Sequence, residues 1–440
     1  MGDTMMPRYF YYFDLALRSF RRNRVLTALM VVAIALGIGA SMTTLTVLYL
    51  LSGDPIPGKS DQLYYVQLDP ASKEGFTPGE EPESQVTRFD AETLLRAKRG
   101  DRQAMMTGGN VAIEPQRTGL DPFYADSRYT SGDFFPMFDV PFLHGGGWSA
   151  TEDDARARVA VISKELNEKL FGGANSVGRT ARFNQVEFRI VGVTDRWRPT
   201  PHFYDLTTGN YGAGEQVFVP FSTARELDFD RSGNMNCWDD AGGEPEGLNA
   251  PCAWIQYWVQ LDTEKKASAY RDYLVQYSNE QIKAGRFERP ANVRLRDVMT
   301  LLDYRRVVPS DVRLQTWLGL GFLLVCLINT IGLLLAKFLR RSSEIGVRRA
   351  LGASKKAIFS QFLVEAVTIG LVGGVLGLGL AWLGLWAVRS QPTEYASLAE
   401  LDLVMLATTF ALAITASFLA GLVPAWRACQ VTPALQLKSQ

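Results

Sequence analysis

The stretch GDPIPGKS, Gly53 to Ser60, fits the phosphate-binding pattern G-x-x-x-x-G-K-[ST] residue for residue. Phosphates in such a loop are held by backbone N–H groups and a helix N-terminus, so the loop must follow a strand and open a helix. Here it follows a long apolar run, precedes the strand-like QLYYVQL, and gives two positions to Pro55 and Pro57, which have no N–H to donate. Nucleotide binding is not expected there. The two histidines, His144 and His202, belong to no cluster at metal-ligand spacing. No catalytic residue, metal ligand or directly bound cofactor is expected.

A denser signal is RRSSEIGVRRALGASKK, Arg340 to Lys356, with six cationic side chains and one acid in seventeen residues. Such a patch can meet nucleic acid, an anionic lipid surface or a protein partner. The elements on either side of it decide which.

Those elements are apolar runs. Although the 440-residue chain has 46 basic and 46 acidic side chains, its apolar residues gather in four blocks: 25–51, 314–338, 357–388 and 403–426. Each reaches the roughly 20 residues that cross a bilayer as a helix. The first is too long for a signal-peptide h-region, which runs only about 7–15 residues, and is read as an uncleaved span. Residues 1–24 hold five arginines and the segment between the second and third runs holds Lys337 and the six cations above, whereas 389–402 holds one Arg against three acids. Basic loops resist translocation, so both termini, the 339–356 loop and the 427–440 tail are expected in the cytoplasm, with 52–310 and the 389–402 loop outside. Trp317, Trp382 and Trp386 then fall at the outer interface and Trp426 at the inner one.

Residues 52–310 carry 30 basic and 38 acidic side chains, a net of −8, which disfavours nucleic acid as a partner. The stretch ARVAVISKELNEKLFGG reads as a strand and a helix stopped by Gly172, and ARFNQVEFRIVGVTD as a hairpin turning near Asn184. Helical patterns recur at 91–104 and 267–285, so an α+β domain, or two small subdomains, is expected, with 291–313 extending the second span as a stalk. Cys237 and Cys252 fit a disulfide outside the membrane, worth about 3 kcal/mol in the chain-entropy account. Before the first span, Phe10, Phe13, Leu17 and Phe20 keep helical spacing, as an interfacial amphipathic helix would. Within the spans, Gly37 and Gly39, then Gly370, Gly373, Gly374 and Gly377, are candidates for close helix packing. Charge inside the spans is scarce, with Glu365 about two turns into the third.

The sequence RRSSEIGVRRALGASKKAIFSQFLVEAVTIGLVGGVLGLGLAW resembles the MacB/FtsX-type permease subunits of ABC transporters, and 159–193 is similar to the MacB-like periplasmic core domain. The resemblance implies an integral membrane protein of four transmembrane α-helices with a large α+β extracytoplasmic domain between helices 1 and 2, in a bacterial inner membrane. It implies mechanotransmission: two permeases, identical or homologous, pair, and each engages a cytoplasmic ABC ATPase that binds ATP and Mg and is expected on a separate chain. Work done there moves the outer domains to export a substrate from the periplasm or outer leaflet, with a periplasmic adaptor and outer-membrane duct as further expected partners. An FtsX-like regulator of an extracytoplasmic hydrolase and a lipoprotein-extracting permease are the alternatives. The coupling residues it implies are Glu344, Ile345, Gly346, Arg348, Arg349, Leu351 and Gly352. The residues themselves suggest a two-turn helix capped by Ser342 or Ser343 and ended by Gly352, with a Glu344–Arg348 pair and apolar contacts from Ile345, Val347 and Leu351. Arg340, Arg341, Lys355 and Lys356 are expected to serve topology and lipid headgroups.

Overall fold

A computed structural model describes residues 20, 23–115, 119–393, 395–399 and 402–430. Most of the expected amphipathic helix and of the C-terminal tail lies outside them. The chain forms two compact units, Met1–Ser52 with Val308–Gln440, and Gly53–Val307.

The first apolar run becomes α1 (Arg24–Ser52), with no acid in its first turn. Met30, Ile34, Ile38 and Met42, four residues apart, are its buried face, while Leu29, Val32 and Leu36 stay exposed.

The second unit interleaves β1 (Leu63–Gln67), β2 (Val86–Thr87), α2 (Arg88–Ala97), β3 (Arg102–Glu114), β4 (Phe123–Thr130), α3 (Phe134–Met137), β5 (Phe142–Gly145), α4 (Ala150–Asp154), β6 (Val159–Ile162) and α5 (Lys164–Phe171). It continues with β7 (Thr180–Phe183), β8 (Val186–Thr194), β9 (Val217–Pro220), α6 (Phe221–Glu226), β10 (Arg231–Ser232), β11 (Asn236–Cys237), β12 (Cys252–Gln260), α7 (Glu264–Lys283), β13 (Arg294–Asp297) and α8 (Val298–Tyr304). The main sheet runs β13-β1-β12-β3-β4-β9-β6-β8-β5, and β7 pairs with both β8 and β3, so the strands from β3 to β8 close on themselves through β7. One continuous sheet in one compact unit replaces the two subdomains considered above.

Local chemistry sets several of these elements. Asn184 and Gln185 both take positive φ, 48° and 67°, which turns β7 into β8 in two residues, and the Asn184 side chain accepts a hydrogen bond from Ala112 N–H at 2.7 Å. Every residue of β12 is buried, so the strand reads as CAWIQYWVQ without alternation. Ala267, Tyr270, Leu274 and Tyr277 lay one apolar stripe of α7 on the core. The helical pattern at 91–104 is cut short: α2 ends at Ala97, Lys98 turns left-handed at φ 48°, and Arg102 already begins β3. The stalk is likewise replaced by β13, which pairs with β1, and by α8, capped by Asp297.

At the heart of this unit Arg128, 1% exposed, pairs with Asp205 at 2.5 Å and with Glu215, which also accepts from Tyr204 Oη at 2.6 Å. Burial would raise both carboxyl pKa values. The Arg128 guanidinium prevails and holds both below the ordinary carboxylate range.

The chain returns as α9 (Ser310–Arg340), α10 (Ser342–Ala350), α11 (Lys355–Arg389) and α12 (Leu403–Cys429). Among the described residues four helices, α1, α9, α11 and α12, are long and apolar enough to cross a membrane.

Candidate functional site: the charged helix between α9 and α11

Helix α10 is set off from α9 by the single residue Arg341, at φ −98° and ψ 11°. Ser342 is already helical and no side chain caps the start, so the serine cap expected from sequence gives way to Arg341, whose guanidinium meets Glu344 at 3.2 Å. The other end follows expectation in its geometry. Gly352 takes φ 100°, its N–H donates to Arg349 O and the Ala353 N–H to Arg348 O, a paired arrangement that satisfies the last carbonyls. Ser354 then caps α11 by accepting from Ala357 N–H.

The helix has an inner and an outer face. Ile345, 4% exposed, and Gly346 are buried, whereas Val347 is 55% and Leu351 83% exposed. Only Ile345 of the three expected apolar contacts is therefore buried. Val347 and Leu351 point outward, because the 100° step per residue that buries position 345 carries 347 and 351 to other sides of the helix.

Ion pairs fix the inner face. Glu344 meets Arg348 at 3.0 Å, Arg348 donates to Gln361 Oε1 of α11 at 3.0 Å, and Arg349 donates to the Cys429 carbonyl of α12 at 3.4 Å. Arg341 bridges Glu344 and Glu365 of α11, each at 3.2 Å. On its other oxygen Glu365 takes Lys337 of α9 at 2.7 Å, and Lys337 Nζ also donates to Thr27 Oγ1 of α1 at 3.2 Å. Lys337 and Glu365 are 1% and 2% exposed. Ion pairs and hydrogen bonds thus run from α10 and Arg341 to all four long helices. Arg341, expected at lipid headgroups, is instead a member of this network. Sequence reasoning noted Lys337 and Glu365 separately and missed the pair, since the two residues belong to different helices and no local spacing joins them.

The candidate packing glycines sit where helices meet. A Cβ at Gly37 would lie 2.9 Å from Leu323, at Gly39 2.7 Å from Leu380, at Gly373 2.8 Å from Ile34 and at Gly377 3.0 Å from Ile38. Gly370 and Gly374 face α12, where Cβ atoms would lie 1.4 Å from Ser417 Oγ and 2.6 Å from Ala413. In the other unit Cys237 and Cys252, opposed where β11 pairs with β12, are joined as a disulfide. Residues 54–60 form turns rather than opening a helix, and Lys59 is engaged by Asp139 at 2.6 Å and by two carbonyls of the α3 end.

Comparison with known proteins follows these two units. The MacB-like periplasmic core domain matches residues 27–277, and the FtsX-like permease C-terminal domain matches residues 317–433. The pyoverdine export ATP-binding/permease protein PvdT of Pseudomonas aeruginosa is 25% identical over 377 residues, covering 83% of this chain and 50% of that one. The macrolide export ATP-binding/permease protein MacB of Chlorobium luteolum is 27% identical over 300 residues, covering 67% and 40%. The chain thus spans about half the length of the curated relatives it matches. Among solved structures, the periplasmic region of MacB from Actinobacillus actinomycetemcomitans aligns at 14% identity and a TM-score of 0.37, over 58% of this chain and 97% of that one. With the first match taking in more than half of its residues and the second its last three long helices, the chain belongs to the MacB/FtsX family of membrane permeases.

Proposed function

We propose that the chain supplies the permease of a MacB-type ABC exporter, in which α10 receives the work of a cytoplasmic ATPase. Two permeases, identical or diverged, pair in the inner membrane with two ATPase copies, and both termini and α10 face the cytoplasm. The Gly53–Val307 unit lies outside, where its movement drives export with the help of a periplasmic adaptor and an outer-membrane duct. Nucleotide and Mg belong to the ATPase.

One observation carries the reading: α10 presents Val347 and Leu351 outward while Glu344 pairs with Arg341, itself paired with Glu365 of α11, Arg348 donates to Gln361 of α11 and Arg349 to the Cys429 carbonyl of α12. Exposed apolar groups on a charged helix supply an anchor for a protein partner, since covering them removes apolar surface from water. The ion pairs resist sliding of α10 against the helices beneath it, so a push on α10 becomes a displacement of α11.

The test replaces Val347 and Leu351 together by Asp in cells that depend on the exporter. Both side chains are exposed, so folding is expected to survive. Transport and ATPase co-purification should both fall at least about tenfold, the loss of roughly 1.4 kcal/mol or more of contact energy. Wild-type co-purification and transport in the double variant would refute the assignment of α10 as the ATPase contact.

A further inference from the structure

A cleft of about 960 Å³ opens in the Gly53–Val307 unit between the end of α2, the start of β3, α3 and α4. That volume suits a drug-sized organic ligand. Its floor is aromatic: Phe135 meets Trp148 edge-on at 4.9 Å between ring centroids and Phe142 at 5.4 Å. Asp153 also lines the cleft and accepts hydrogen bonds from Gly132 N–H at 3.1 Å and Ser222 Oγ at 3.4 Å. Trp148 is 4% exposed, and its indole N–H faces the Asp153 carboxylate without completing a hydrogen bond among the described residues.

The charges are unevenly matched. Asp101 is paired with Lys266 and Asp139 with Lys59, while Arg96 is held by Glu92. No ion pair engages Asp133, Asp153 or Asp154 among the described residues; Asp133 accepts from Gln103 N–H at 3.2 Å rather than capping α3. Lys98 and Arg102 line the cleft as well, and Arg102 donates to Gln260. Three carboxylates that make no ion pair among the described residues line the cleft together with aromatic rings, a setting for positive charge.

We propose that this cleft binds an amphiphilic organic cation, with its charged nitrogen beside Asp153, Asp133 and Asp154 and its flat apolar body on Phe135, Phe142 and Trp148. Burial pushes the Asp153 carboxyl up to about 6, so its charge, and with it the affinity for a cation, is present above that pH and fades below it. That the bound cation is the exported cargo rests on the exporter reading above. Binding itself needs no ATPase, so the two readings fail separately.

The full chain in lipid nanodiscs is titrated with berberine, a flat quaternary cation whose fluorescence rises in apolar sites, against anilinonaphthalene sulfonate as the anionic counterpart. Saturable berberine binding is expected, weakened about tenfold by Asp153→Asn and by Asp133→Asn, as loss of one charge contact implies, and weaker at pH 5 than at pH 7.5. Asp154→Asn, at an exposed position, serves as a second variant if either of the others fails to fold. Unchanged affinity in the folded variants, equal binding of the anion in competition, or no binding beyond that of empty nanodiscs would overturn the site.

Discussion

Lys337 Nζ lies 2.7 Å from Glu365 Oε1, with both side chains almost wholly buried between α9 and α11. A charge taken out of water costs several kcal/mol unless its partner is held in good geometry, so removing one member is far worse than removing both. Glu365→Leu alone should destabilise the helical unit by about 3–5 kcal/mol, Lys337→Met by less because Glu365 keeps Arg341, and the double variant should recover most of the Glu365→Leu loss. Denaturation of the four proteins in detergent measures the cycle; additive losses would mean that the pair is not coupled.

Arg128 poses the same problem outside the membrane. Asp205 and Glu215 have folded pKa values below their unfolded ones, so the stability they contribute is present above the unfolded carboxylate range and is lost as pH falls through it. Arg128→Met leaves two buried carboxylates without their cation and should cost about 3–5 kcal/mol near neutral pH. Mild acid should narrow the gap between variant and parent, because protonation then discharges the orphaned acids. A gap that widens on acidification in thermal melts would contradict this.

Asp153 has the opposite sign. Its folded pKa, raised to about 6 by burial, lies above the unfolded value, so its proton stabilises the fold below the unfolded pKa and that contribution is lost as pH rises through 6. Asp153→Asn should therefore be more stable than the parent at pH 8, by about 1–3 kcal/mol at most, with the advantage gone near pH 4. Melting curves across that range, without added cation, report it.

Glycine positions separate contact from composition. A Cβ at Gly370 would fall 2.2 Å from the Cβ of Ser417, whereas Gly321 and Gly379 have nothing within 4 Å. Gly370→Ala should cost about 1–3 kcal/mol by forcing α11 from α12, while Gly321→Ala and Gly379→Ala should be neutral or slightly stabilising. Equal effects in detergent melts would show that the α11–α12 contact is not as close as described.

The spans were legible because composition alone encodes them: an unbroken apolar run about 20 residues long has few other uses. The α10 segment was legible through punctuation, Gly352 at a left-handed position and Ser354 as a cap. Its start was not, since α9 runs to Arg340 and leaves no extended residue for a serine to occupy. Periodicity could not reveal that Lys337, Arg341 and Glu365 converge, because the packing of α9 on α11 brings them together rather than any spacing within one helix. The aromatic cleft was hidden for a similar reason, its walls coming from α2, β3, α3 and α4. At 91–104 local helical preference was overridden by the sheet, where Arg102 to Gln103 pair with β12.

The most direct measurement is photocrosslinking in intact membranes from a diazirine amino acid placed at Leu351, at Val347 and, as control, at Val325, an exposed residue in the middle of α9. Crosslinks to a nucleotide-binding ATPase from 347 and 351 but not from 325 are expected. No ATPase adduct from either α10 position, with the permease folded and active in transport, would contradict the coupling role of this helix.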